Sequence, residues 1–180
     1  MVAKFWMGST PYYIGYFTMY NYWGFTDQIP QTIYVLNLTK NDKKKIGNIK
    51  YEALRIDKKK YFGIKKIKIE SEEICISDKE RTLVDFIYNP IGSIDNVEQV
   101  LKDNLGKIDI EKFIKYLKRF PIVSVRKRAG YFLEKIGCKK KYLDDLKNII
   151  GNKLTYVVLD PMKKSRKGKI NKEWQIIVNR

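Results

Sequence analysis

The chain of 180 residues contains no histidine. That absence excludes a Ser-His-Asp or Cys-His nucleophile system, a histidine general base and a histidine-ligated zinc. Any chemistry would have to run on carboxylates, lysine, tyrosine or a bound metal. Cysteine is nearly as scarce. Cys75 and Cys138 are the only two, at no metal-ligand spacing, and each is expected to be a buried small hydrophobe. No apolar run approaches the roughly 18 residues that a membrane span requires. A signal peptide's basic-then-apolar layout is missing too, because Lys4 leads at once into a broken aromatic stretch. A cytoplasmic protein without membrane contact is therefore expected. Acidic residues are few: 20 Asp and Glu stand against 37 Lys and Arg, for a net charge of +17.

Charge of that size on one domain points to an anionic partner, most often nucleic acid. Lysine supplies 30 of the 37 cations, in a chain also rich in Ile, Asn and Tyr. An AT-rich genome or a hot-growing host produces the same mix, so the charge needs a local arrangement behind it before it names a partner. Hydrophobic content of 44% is enough for a real core.

What is abundant is aromatic, and it is concentrated. Ten of the 24 aromatic residues lie in the first 25 positions, from Phe5 and Trp6 to Trp23 and Phe25. Thr10-Pro11 has the form of a helix start, a capping hydroxyl followed by a proline at the first helical position. An aromatic helix over about 10–24, stopping at Gly24, is the expectation. Within it Tyr13, Phe17, Tyr20 and Trp23 are spaced as a core face. Tyr12, Tyr16 and Phe5-Trp6 fall elsewhere, as a protein-facing surface or a base-stacking one.

Strands are expected at 32–39, 49–56, 64–69 and 73–76, with a polar turn over Asn41–Lys45, as an antiparallel meander. Ser77-Asp78-Lys79-Glu80 has the form of a capping box, in which Ser77 accepts from the Glu80 backbone and Glu80 reaches back. Helices follow to about 150. Their apolar stripes are Val97, Val100, Leu101 and Leu105; then Ile110, Phe113, Ile114 and Leu117; then Val125, Ala129, Phe132, Leu133 and Ile136. A last helix, Tyr142–Ile150, stops at Gly151. Two apolar runs, 155–159 and 174–178, suggest a C-terminal β-hairpin over 155–179. The predicted class is α+β: an aromatic helix, a sheet over 32–76, helices over 78–150 and that hairpin, in one domain over 1–180.

Several segments together resemble one family. They are Tyr12-Tyr13-Ile14-Gly15, Tyr22-Trp23-Gly24, Gln28-Ile29-Pro30 and the strand Thr32 to Leu36. Further on come Tyr61-Phe62-Gly63-Ile64, Asp78 to Asp85, and Arg128-Ala129-Gly130-Tyr131-Phe132-Leu133. Leu159-Asp160-Pro161, Lys167-Gly168-Lys169, Trp174 and Asn179 close the series. In order and spacing this resembles the antitoxin domain of the AbiEi family, the antitoxin and transcriptional-regulator component of AbiE-type abortive-infection systems (type IV toxin–antitoxin). The resemblance implies a non-enzymatic regulator that neutralises a nucleotidyltransferase-like toxin and represses its own operon. Family members carry a winged helix before this domain. Here fewer than a dozen residues precede the aromatic segment, too few for such a module.

Two basic groups are candidate nucleic-acid contacts. Lys163, Lys164, Arg166, Lys167, Lys169 and Lys172 fall within ten residues around Gly168, as a phosphate clamp or as a solvated hairpin tip. Arg126, Lys127 and Arg128, with Lys115, Lys118 and Arg119 on the preceding helix, are expected to form an exposed basic face. Ser77, Glu80, Arg81, Asp85, Trp23 and Trp174 are expected to be structural, with Arg81 and Asp85 at i, i+4 able to pair. Asp57, Glu70, Glu72, Glu73, Asp160 and Glu173 are the acids a metal-dependent nuclease would need to converge. No cofactor or metal is expected. The expected partners are DNA and the cognate toxin, with a homodimer through the aromatic segment. A protein-interaction module without a nucleic-acid role and a carboxylate-metal nuclease are the alternatives.

Overall fold

The aromatic segment does not form one helix. In the computed structural model, which describes residues 2–150 and 155–179, it splits into a helix α1 (Val2–Met7), a strand β1 (Tyr12–Ile14) and a helix α2 (Phe17–Tyr22). The Thr10-Pro11 start signal is overridden by tertiary pairing, which outweighs local propensity. β1 is flanked on both sides, antiparallel to β2 (Thr32–Asn37) and parallel to β6 (Glu72–Ser77). Gly15 ends it where side chains crowd: a Cβ there would lie 2.7 Å from Leu36 Cδ1 and 3.0 Å from Tyr13 Cε2. Tyr16 then takes a positive φ of 51° before α2 begins.

The chain divides into two compact units, Met1–Thr82 and Leu83–Arg180. The first is built on a six-stranded sheet in the order β3-β4-β2-β1-β6-β5, with β3 Asp42–Ile46, β4 Ile49–Arg55 and β5 Ile64–Ile69. The sheet is mixed and not a meander, because β2 runs parallel to β4 and β1 parallel to β6. The expected turn at Asn41–Lys45 is the edge strand β3. It joins β4 through Gly47-Asn48, where Gly47 supplies φ 58° for a two-residue hairpin. Both edge strands are rich in lysine, which discourages pairing with other chains. One core cluster holds Ala3, Met7, Val35 and Ala53; another holds Met19, Ile74 and Ile76.

Helix α3 (Lys79–Tyr88) starts one residue away from the capping-box reading. Asp78, not Ser77, accepts from the first turn: its Oδ1 takes the Arg81 N–H at 2.8 Å. Ser77 ends β6 and shares a 2.8 Å hydroxyl contact with Thr82. Arg81 is 1% exposed, donates to the Lys60 carbonyl at 2.7 Å and lies over the Phe62 ring. Asp85 is fully buried. Trp23 is half-buried and donates from Nε1 to the Ser77 carbonyl at 3.2 Å.

The second unit contains α4 (Asp95–Asn104), α5 (Ile110–Arg119), α6 (Val123–Lys135) and α7 (Lys140–Ile150). Each apolar stripe lies inside as expected, apart from half-buried Leu105, Ile110 and Ile136. The Gly151 stop lies outside the described residues. α6 is the centre: it touches α4, α5, α7 and the strand β9 (Ile176–Val178). The C-terminal strands form no simple hairpin. β7 (Val157–Val158) runs parallel to β9, and β8 (Lys169–Asn171), cut from the far end of the basic loop, pairs antiparallel on its other side. The fold is α+β. Cys75 and Cys138 are both free and half-buried. Among the described residues, no helix is long and apolar enough to cross a membrane.

Candidate nucleic-acid interface

The loop between β7 and β8 is held from beneath by one side chain. Asn179 is 2% exposed, accepts from the Asp160 N–H at 2.9 Å, and donates to the carbonyls of Asp160 at 3.0 Å and Ser165 at 2.8 Å. Asp160 turns the chain by accepting from the Met162 N–H at 2.9 Å. Gly168 seals the return, because a Cβ there would lie 2.2 Å from the Val178 carbonyl oxygen. With its backbone fixed in this way, every residue from Pro161 to Ile170 stands exposed.

Lys163, Lys164, Arg166, Lys167, Lys169 and Lys172 are all exposed, and none has a carboxylate partner among the described residues. That sets them apart from Lys4, Lys43, Lys66, Lys118, Lys135, Lys141 and Lys147, each of which is ion-paired. Five ammonium groups and one guanidinium on a pinned loop suit phosphate oxygens. They act mainly as point charges and carry little base discrimination.

The second candidate group is used differently. Lys127 and Arg128 do not form an exposed face. Lys127 is 1% exposed and donates to Gln175 Oε1 at 2.7 Å and to the Thr155 carbonyl. Arg128 is 6% exposed and donates to the Val158 carbonyl from Nε at 3.2 Å and from the terminal amine at 3.1 Å. Arg126 is half-buried and binds the carbonyls of Leu117 and Phe120 at 3.2 and 2.8 Å. Burial pushes all three below their ordinary pKa values, opposed at Arg128 by the Asp160 charge. Lys127 and Arg128 tie α6 to carbonyls of the C-terminal segment, and Arg126 ties it to the carbonyls that the end of α5 leaves open. Lys118 is paired with Asp145 at 3.2 Å, and Lys115 and Arg119 are exposed.

Trp174 is fully buried and lies over Gly130 of α6, where a Cβ would come within 2.0 Å of its Cζ3. Its indole N–H donates to Glu134 Oε2 at 3.0 Å, and Lys147 sits 5.0 Å from its ring while pairing with Glu134 and Glu173.

The acidic residues do not converge. Glu72 pairs with Lys4 at 2.8 Å, Glu73 with Lys66 at 2.7 Å, and Glu173 with Lys147. Asp57 caps the short turn Lys58–Lys60. No cluster of three or more acidic or cysteine side chains able to hold a metal occurs among the described residues. Of the N-terminal aromatics, Tyr13 and Tyr20 are core, whereas Phe17 joins Trp23 as half-buried. Trp6 donates to Asp42 at 3.1 Å and meets Tyr51 edge-on; Phe5 stands 82% exposed.

No family model and no curated protein matches this chain. Its fold is similar to the crystal structure of the RV2827C protein from Mycobacterium tuberculosis, with a TM-score of 0.61 over 97% of this chain. The two are 13% identical, so the likeness speaks for the fold alone. This chain spans 65% of the length of that one.

Proposed function

We propose that this protein is a non-enzymatic antitoxin and transcriptional-regulator component of a type IV, AbiE-like toxin–antitoxin system. It works in the cytoplasm through a basic surface that contacts DNA. The role is supported by the ordered motifs from Tyr12 to Asn179 that resemble the AbiEi antitoxin domain. The single observation that carries the DNA contact is the loop of six exposed cations that have no carboxylate partner among the described residues, on a backbone pinned by Asn179 and Gly168. A cation at such a loop gains by releasing counterions from phosphate. The cognate toxin, a nucleotidyltransferase-like enzyme by the same resemblance, is countered without any reaction by this chain.

The test is fluorescence anisotropy with a mixed-sequence 30-base-pair duplex across a salt series. Neutralising about four phosphates gives a log–log salt slope near −3.6, or about 150-fold weaker binding at 200 than at 50 mM salt. Changing Lys163, Lys164, Arg166 and Lys167 to Gln should flatten most of that slope. No binding by the unaltered protein at tens of micromolar in low salt would remove the DNA contact.

A second reading rests on Phe5. At 82% exposure on α1, it is an aromatic anchor for a second copy of the chain. A Phe5→Ser change that leaves the sedimentation coefficient untouched at high concentration would dismiss that dimer.

A further inference from the structure

The first unit carries a cationic row of its own, set by strand register. Lys45 of β3 lies directly opposite Lys50 of β4, and Lys50 lies opposite Thr32 of β2. Residues directly opposite share a face, so two ammonium stems and a hydroxyl stand in line across three strands. In the next row of that face, Lys43 opposes Glu52 and Glu52 opposes Tyr34. There the charges are matched: Lys43 Nζ lies 3.2 Å from Glu52. Lys45 and Lys50 have no such partner among the described residues, and both are exposed. On the opposite face Trp6 meets Tyr51 edge-on, and at this end of the sheet Lys44 and Tyr51 join Thr32, Lys43, Lys45, Lys50 and Glu52 in lining an open concavity.

Like charges directly opposite on a sheet repel and destabilise it. A neighbouring carboxylate would cancel the effect, as Glu52 does one row away. An external anion would cancel it equally well, and it would be held by both ammonium groups at once. We infer that the Lys45–Lys50–Thr32 row is a second phosphodiester-binding site, one that holds a nucleic-acid backbone phosphate against the exposed β3–β4 end of the six-stranded sheet. The inference rests on the reading that this protein contacts nucleic acid, and it assigns part of that contact to a unit other than the one bearing the basic loop. The occupant is a phosphodiester because the row offers point charges and one hydroxyl donor, with no arginine fork for planar carboxylates.

The test is a Lys45→Gln/Lys50→Gln protein in the anisotropy salt series on the 30-base-pair duplex, beside a Lys45→Arg/Lys50→Arg protein. Losing one phosphate contact should flatten the salt slope by about 0.9, and the arginine pair should restore it. Thermal unfolding without DNA is the control for folding: the glutamine pair should melt no lower than the unaltered protein, since it removes a repulsion. If the unaltered protein binds and the glutamine pair keeps its full slope, this site is wrong and the loop alone makes the contact. If the unaltered protein binds no DNA, the proposed function loses its nucleic-acid part and this site falls with it.

Discussion

A glycine in the middle of a helix is ordinarily a weak point, and its replacement by alanine adds stability. Gly130 should do the reverse. Glycine costs about 1 kcal/mol relative to alanine in a helix interior, so propensity alone predicts a gain of that size. The structure places three indole atoms of Trp174 at 2.0, 2.2 and 2.5 Å from where a Cβ would stand, well inside any tolerated contact. The ring cannot yield cheaply. It is fully buried, and its N–H is committed to Glu134 at 3.0 Å. Overpacking of this kind costs about 1–3 kcal/mol and occasionally more, and an overlap this deep belongs at the upper end. After the propensity gain, a net loss of about 2 kcal/mol remains. For a chain of this length that lowers the melting temperature by about 4–8 °C. Far-ultraviolet circular dichroism on heating reads it directly. A Gly130→Ala protein that melts at or above the unaltered protein would refute the argument that Trp174 dictates this glycine.

Other contacts give four further outcomes. Asp78→Ala, which deletes the acceptor for the Arg81 N–H, should cost about 1 kcal/mol in urea unfolding. Lys127→Met should lower stability by about 1–3 kcal/mol, because the Thr155 carbonyl and Gln175 Oε1 lose a buried donor, while the DNA salt slope stays unchanged. Burial holds the folded Lys127 pKa below 10.5, so between that lower value and 10.5 the unfolded chain binds more protons. In that window the unaltered protein should gain stability relative to Lys127→Met as pH rises, measured by urea midpoints across alkaline buffers. Glu72, Glu73 and Glu173 are held below 4.5, chiefly by hydrogen bonds from Lys4, Lys66 and Lys147. Their stabilisation is fully present above pH 4.5 and lost as pH falls through the lower folded values. Added salt should shrink that acid-induced drop in melting temperature.

Much of the helical half was legible because each of its helices is amphipathic. Val97, Val100 and Leu101, or Phe113, Ile114 and Leu117, repeat with the helical period, and that repeat identifies a buried stripe whatever lies against it. The basic loop was legible as well, since six cations in ten residues admit no apolar environment. The hairpin at Gly47-Asn48 carried a signal that went unused: a glycine-led pair between Ile46 and Ile49, which would have marked 42–46 as a strand.

The sequence by itself determined the α+β class, the stripes of α4 to α7 and the exposure of the loop at 161–170. Each depends only on residues near one another in the chain. Tertiary structure decided the rest, through partners distant in sequence. Tyr12–Ile14 became a strand because β2 and β6 flank it on both sides, which no local signal encodes. Lys127 and Arg128 turned inward because the C-terminal segment brings the carbonyls of Thr155 and Val158 to α6, where charge-assisted hydrogen bonds offset part of the cost of burying each cation.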